Sequence, residues 1–245
     1  MIDQQKKNRL FIVGIFALSI IPMVMAWTLS QNLELLSKGT NNGQLVIPPI
    51  TTELSGYQGF DAFSESNKKE LPAHWLIVNV ITGVNCEAVC FEAILKTKQI
   101  RLMLNKELSR TRRVVMLLDS VPTATAQQFW LKDSVMWRLR ASKSAENEAL
   151  YSNLLQQSAI LDDALINRLV GQENREFALN SDLIRIKPSA AMIAKLKQAS
   201  NGQLTDGMLF LFDPLGNIMM RYEPGFDPYK VKNDLMHLLK ISQIG

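Results

Sequence analysis

Apolar positions along this chain fall into runs of clearly different length and period. The first, residues 10–29, carries no charged side chain across 20 positions, which is the length a helix needs to cross the hydrocarbon of a bilayer. Residues 30–71 are polar, and Gly39, Gly43, Pro48-Pro49, Gly56 and Gly59 interrupt any periodicity. That stretch reads as a stalk and linker holding one short strand at residues 44–47. Trp75–Ile81 is a nearly continuous β-branched and apolar run of the kind buried on both faces of a sheet. From Cys86 to about Leu108, Val89, Ile94, Ile100 and Leu104 recur at helical spacing. A second buried run follows at residues 114–118, so strand, helix and strand suggest a parallel βαβ unit.

The second half repeats this punctuation. Residues 123–175 read as helical, with Trp130, Trp137, Leu139, Leu150, Leu154, Leu155, Ile160, Leu165 and Leu169 as core contacts. A short strand at 183–186 precedes Pro188, placed for the first turn of a helix that buries Met192, Ile193, Leu196 and Ala199 and stops at Asn201-Gly202. Residues 208–212 form a buried strand, 213–217 a hairpin turn and 218–222 its antiparallel partner. Asp227 caps a last helix, with Pro228 behind it and Val231, Leu235, Leu238 and Leu239 as its inner stripe. The expected organisation is a tail at 1–9, an anchor at 10–29, a stalk and linker at 30–71 and one α/β domain at 72–245.

Charge changes the picture in two places. The chain has 245 residues, 47% hydrophobic, and a formal charge of +4, half of it supplied by Lys6, Lys7 and Arg9 against Asp3. Positive charge before the apolar run holds the N-terminus in the cytoplasm and places everything after it outside, as a single-pass inner-membrane protein with a periplasmic C-terminal domain. A cleaved signal peptide is the competing reading, and it exports the domain equally. The rest of the chain is nearly neutral, which argues against a nucleic-acid partner. The one dense basic stretch, Arg110-Thr111-Arg112-Arg113, reads as the solvated entrance to the strand after it.

Cys86 and Cys90, the two cysteines of the chain, stand four residues apart just beyond the first buried strand, where α/β sheets collect their active groups. A helix begun near Cys86 puts both sulfurs on one face with Cα atoms about 6 Å apart, within disulfide range. In an exported domain such a pair closes a structural disulfide, exchanges electrons or holds a soft metal. His74 and His237 have no second ligand type near them in sequence, and the methionines at 208, 219 and 220 suit core and sheet surface better than a metal relay.

The order of elements resembles the thioredoxin-like fold, and more narrowly the Sco/SenC family of membrane-anchored cytochrome oxidase assembly proteins. The likeness rests on the N-terminal apolar segment, on CxxxC after the strand Trp75–Ile81, on the strand ending at Asp119, and on Phe210-Leu211-Phe212-Asp213-Pro214-Leu215-Gly216-Asn217, similar to the family's strand ending in Asp-Pro-x-Gly. It implies a thioredoxin-like domain whose two cysteines and a distal histidine bind copper, and a cytochrome oxidase subunit as partner. This chain departs from the pattern. Glu87 and Phe91 replace the prolines that follow each cysteine, and the histidine position, about eight residues before Asp213, is held by Thr205 and Asp206. Two thiolates alone suit Cu(I) but lack a third ligand for Cu(II), and the Asp206 oxygen is a hard substitute for imidazole. Copper is therefore the cofactor the resemblance implies, with Cys86 and Cys90 as its ligands and Asp206 as a weak third.

The function expected is assembly of a respiratory haem-copper oxidase through thiol redox or transient copper handling at Cys86 and Cys90, without catalysis in the strict sense. The alternatives are a general thiol-disulfide oxidoreductase, against which stands the absence of CxxC and of a proline before Met208, and a binding scaffold with a structural disulfide. Topology is directly testable. A reporter fused after Gly245 is expected to be active in the periplasm alone, with the full-length chain retained in membranes after carbonate washing; release of a shortened soluble chain identifies a signal peptide instead.

Overall fold

The computed structural model describes residues 2–31, 41–54, 57–83, 88–118, 122–142, 144–156, 161, 163–169 and 182–242. The chain divides into two compact units, Met1–Asn41 and Asn42–Gly245. The first contains helix α1 (Ile2–Gln31). Its segment Lys6–Gln31 is long and apolar enough to cross a membrane, as either an anchor or a signal segment. The hydroxyls within its apolar run are satisfied locally. The Ser19 hydroxyl donates to the Ile15 carbonyl and the Thr28 hydroxyl to that of Val24, which lowers the cost of placing them in lipid.

The second unit is built on a seven-stranded sheet of β1 (Gln44–Thr51), β2 (Gln58–Gly59), β3 (Trp75–Ile81), β4 (Thr111–Leu117), β5 (Leu183–Lys187), β6 (Leu209–Phe212) and β7 (Asn217–Tyr222), ordered β1-β7-β6-β3-β4-β5-β2. β3, β4 and β5 run parallel, with Trp75 opposite Thr111 and Ile81 opposite Leu117, while β6, β7 and β1 run antiparallel beyond β3. The central position of β3 explains why all seven of its residues are buried. Leu76, Val78 and Val80 join Val114, Met116, Phe210 and Phe212 on one face, and Ile77 and Ile81 join Val115, Leu117 and Leu211 on the other or at its continuation.

Each face has its cover. Helix α2 (Ala62–Asn67) leans on β5 at one edge, where Asp61 caps it and pairs with buried Arg185 at 2.8 Å. α3 (Ala88–Met103), α4 (Thr123–Ser142), α5 (Ala145–Gln156), α6 (Asp163–Leu169) and α8 (Pro228–Ile241) enclose the Ile81 face, and α7 (Ala190–Ala199) encloses the other through Met192, Leu196 and Ala199. α3 meets the sheet below and α4 and α8 beside it, which is why its buried residues, Cys90, Phe91, Ala93, Ile94, Leu95, Thr97 and Ile100, occupy more than one stripe. The end helix matches its pattern: Asp227 caps it, Pro228 opens it, and Val231, Leu235, Leu238 and Leu239 are buried.

Several expectations are corrected. Residues 42–71 are part of the folded unit, because β1 hydrogen-bonds β7 and both Tyr57 and Leu71 are buried in the core. The chain enters this unit through a carboxylate clip: the Asn42 and Gly43 amides and the Tyr222 hydroxyl all donate to Asp234. Ser189, rather than Pro188, begins α7, its hydroxyl accepting from the Met192 amide at 3.2 Å. In the helical stretch Leu139 and Leu154 are buried, but so are Leu131, Val135, Met136, Leu161 and Ile166, while the Trp130 side chain and Ile160 lie outside the described residues.

The basic stretch is not a solvated entrance. Arg113 is fully buried and Arg110 and Arg112 are bound internally. Period two in β4 places Arg113 on the same face as Val115 and Leu117, under α3. Its guanidinium donates to the Asp182 carboxylate at 2.9 Å, the Ile94 carbonyl at 2.8 Å and the Thr97 hydroxyl at 3.2 Å, and lies 3.8 Å from Asp133. Arg101 reinforces Asp182 at 2.9 Å. Burial pushes the Asp182 carboxyl up, but Arg113, Arg101 and Lys98 outweigh it and hold it below its ordinary value. Asp133 goes the other way. Burial raises its pKa more than Arg113 and Lys98 lower it, and neither oxygen has a hydrogen-bond partner.

The two carboxylates therefore have opposite linkage. Asp182 contributes stability above its unfolded pKa that is lost as pH falls through its lowered folded value, whereas the Asp133 contribution is lost as pH rises through its raised one. Asp182→Ala, which leaves buried Arg113 without its hydrogen-bonded counter-ion, is expected to cost about 3 kcal/mol, and Asp133→Asn less than about 1 kcal/mol. Urea unfolding at neutral pH checks both, and equal losses would contradict the assignment.

Candidate functional site

β3 ends at Ile81 and the chain reaches α3 by residue 88, so the first turn of that helix is delivered to the carboxyl edge of the parallel strands. Cys90 sits in this turn, 2% exposed and packed with Ile81, Phe91, Ile94, Val115 and Leu117. It is disulfide-bonded and does not titrate as a thiol. Cys86, the other cysteine of the chain, lies outside the described residues. α4 closes over the same cluster with Leu131, Val135 and Met136, and the Lys132 ammonium lies 5.0 Å from the Phe91 ring centre. Burial lowers the Lys132 pKa.

The turn before β6 completes the edge. The Asp206 carboxylate accepts from the Thr82 amide at 2.7 Å and from the Thr82 hydroxyl at 2.9 Å, fastening residues 205–207 to the residue that follows β3. Gly207 has φ +86°, and a Cβ built on it would come within 2.9 Å of Val89 Cγ1, 3.2 Å of the Val89 carbonyl and 3.3 Å of Pro224. Only a residue without a side chain lets this turn press against the residue preceding Cys90. Three segments thus meet beside the disulfide: the first turn of α3, the 205–207 turn and the loop after β7. Val89, half exposed, is the apolar surface at their junction.

Of the residues singled out in the sequence, the fold brings Thr205, Asp206 and Cys90 to one edge and sends both histidines elsewhere. His74 precedes β3, so about 20 Å of strand separates it from the residues following Ile81, and its ring contacts the Pro72 carbonyl at 3.2 Å. His237 lies in the last turns of α8. That end is held by Arg110 through the Leu239 and Ser242 carbonyls, next to the start of β4 and hence at the opposite edge of the sheet. No group of three or more His, Cys, Asp or Glu side chains comes together among the described residues. The donor set does not fit a copper centre of two sulfurs and an imidazole, and the Asp206 oxygen nearest the strand end is engaged by Thr82. Asp213 is a turn residue, accepting from the Leu215 and Asn217 amides.

One buried polar residue gave no sequence signal as part of the edge's surroundings. Asn79 lies in the middle of β3 on the face beneath α3, 2% exposed, and its amide has no hydrogen-bond partner among the described residues. A single amide in an otherwise apolar run could have been marked as a break in the pattern.

Residues 162–242 match a family described as the transmembrane-like, thioredoxin-like, C-terminal domain. None of the curated proteins gives a match. Among solved structures, the chain is similar to a SCO1/SenC family lipoprotein from Bacillus anthracis at 16% identity and TM-score 0.39, covering 78% of this chain and 98% of that one. It is similar to BsSco, a member of the Sco family of cytochrome c oxidase assembly proteins, at 11% identity and TM-score 0.37, covering 82% and 97%. It is also similar to the thioredoxin domain of a thiol-disulfide oxidoreductase from Bacteroides vulgatus at 8% identity and TM-score 0.33, covering 69% and 82%.

Removing the clip tests the geometry of this edge. Asp206→Ala is expected to cost about 2 kcal/mol, because it orphans the Thr82 amide, and Gly207→Ala about 1 to 3 kcal/mol through strain at positive φ. Thermal unfolding measures both; unchanged stability in either variant contradicts the packing described. The chain carries an α/β thioredoxin-like domain together with an N-terminal apolar helix long enough to span a membrane.

Proposed function

We propose that this protein is a membrane-tethered thiol-disulfide exchange protein that acts outside the cytoplasm on a subunit of a respiratory haem-copper oxidase during its assembly. The observation that carries the redox part is the disulfide-bonded, buried Cys90 in the first turn of α3, beside a turn that Gly207 allows to pack against it. The oxidase client follows from the resemblance of CxxxC and of the Phe210 to Asn217 segment to the Sco/SenC pattern.

The exchange is a two-electron step. A client thiolate attacks the sulfur of Cys86, the S–S bond breaks, and Cys90 departs as the thiolate and takes up a proton. The second client thiol then attacks the mixed disulfide, so the client leaves oxidised and the chain holds two thiols. Burial of Cys90 favours this order, since the sulfur of a residue 2% exposed is shielded from a protein nucleophile. Transient Cu(I) handling by the reduced pair enters this reading only through the resemblance, and no third ligand stands beside Cys90 among the described residues.

A structural bridge is the second reading, and the same burial of Cys90 favours it. The reduction potential separates the two. A value between about −120 and −270 mV is expected for exchange, whereas one below about −300 mV identifies an inert bridge. Cys90→Ser is expected to accumulate a mixed disulfide between Cys86 and an oxidase subunit in membranes where that oxidase is assembled, because the Cys86 thiolate attacks the disulfide of the oxidised client in the reverse of the release step and no second thiol resolves the product. Failure to trap any partner overturns the exchange reading, and trapping of many unrelated exported proteins replaces the oxidase client with a general oxidoreductase.

A further inference from the structure

The carboxyl edge of the sheet has a second feature, on the side of α7 rather than on that of α3. Between the ends of β3 and β4, α7 and the loop that follows it lies an open cleft of about 500 Å³. Thr82, Leu118, Ile193, Lys197, Leu204 and Thr205 are among the residues that line it. Thr82 and Thr205 belong to the Asp206 clip, so this cleft and the Cys90 edge share one wall. The volume lies in the range of sites for small ligands or a few side chains.

We infer that this cleft recognises an acidic side chain of the client polypeptide, in an extended segment near the client cysteine, and that Lys197 selects it. The inference rests on the exchange reading above and adds the class of client sequence. Three observations support it. Lys197 is the one formally charged residue among the described residues of the lining, and its ammonium makes no ion pair among the described residues, unlike Lys68 and Lys96, which pair with Glu65 and Glu92. The remaining wall combines apolar Leu118, Ile193 and Leu204 with threonine and glutamine side chains, which suits a segment that alternates an apolar and a polar side chain on opposite faces. Gly202, at φ +89°, has nothing within 4 Å of the position a Cβ would take, so the mouth of the cleft is open beside Lys197. Asp206, the nearest acidic residue in sequence, has its carboxylate turned to Thr82.

The test uses the exported part of the chain with its disulfide intact and two synthetic cysteine peptides of equal length, one carrying Asp and one carrying Lys three residues from the cysteine. Binding is read by NMR titration with the peptide cysteine blocked, and exchange by mass spectrometry with it free. The acidic peptide is expected to bind about two- to fivefold more tightly at low ionic strength, with shifts centred on Thr82, Lys197 and Thr205, and the preference is expected to vanish in Lys197→Met and to reverse in Lys197→Glu. Equal affinity for the two peptides, or a preference unchanged in Lys197→Glu, overturns the inference even if both peptides exchange. Selective binding without exchange by either free peptide retains the cleft assignment and overturns the redox reading, so the two failures are distinct.

Discussion

A guanidinium with no exposed surface must find its partners inside the protein, and Arg113 finds them on three segments. It bonds the Ile94 carbonyl and the Thr97 hydroxyl of α3, pairs with Asp182 just before β5, and faces Asp133 of α4. Any shift of α3 along the sheet would break bonds to a buried charge, at a cost of several kcal/mol. The height of α3 above β4 is set in this way. Cys90 lies one turn before Ile94, so the position of its sulfur follows from a constraint in the interior rather than from the loop that carries the chain to it.

The other end of that turn has its own restraint. Gly207 touches Val89 while Asp206 holds the strand end at Thr82, and α4 seals the cluster around Cys90 from the outer side. Cys90 is thus held by packed segments on both sides, which is the preorganisation that the proposed exchange asks of a buried sulfur. The same supports leave no third metal ligand beside Cys90 among the described residues. Asp206 is engaged in the clip, and the two histidines lie at the opposite edge, separated from the disulfide by the length of β3.

The strands of the core were legible because their signals are local. Trp75–Ile81 coincides with the expected strand, and the segment around Asp213 folds into the turn its Asp-Pro and Gly residues specify. What the sequence hid depends on partners distant along the chain. Arg113 reads as solvated because it belongs to a dense basic stretch, and only the alternation of β4, once its inner face is known, turns it inward to meet Asp182, 69 residues away. β1 looked like part of a stalk because Pro48-Pro49 obscures its pattern, and its identity comes from pairing with β7. The neighbourhood of Thr205, Asp206 and Cys90 was expected from resemblance, but the role of Gly207 has no sequence signature beyond the glycine itself.

In the proposed exchange Cys90 is the leaving sulfur of the disulfide and Cys86 is the one attacked. Brief reaction of the oxidised domain with reduced glutathione, acid quenching and mapping of the glutathione adduct by mass spectrometry tests this most directly. Exchange by this route places the adduct on Cys86, formed before Cys90 becomes available to a thiol-specific label. An adduct on Cys90, or a disulfide that stays closed under a large excess of glutathione, would contradict it.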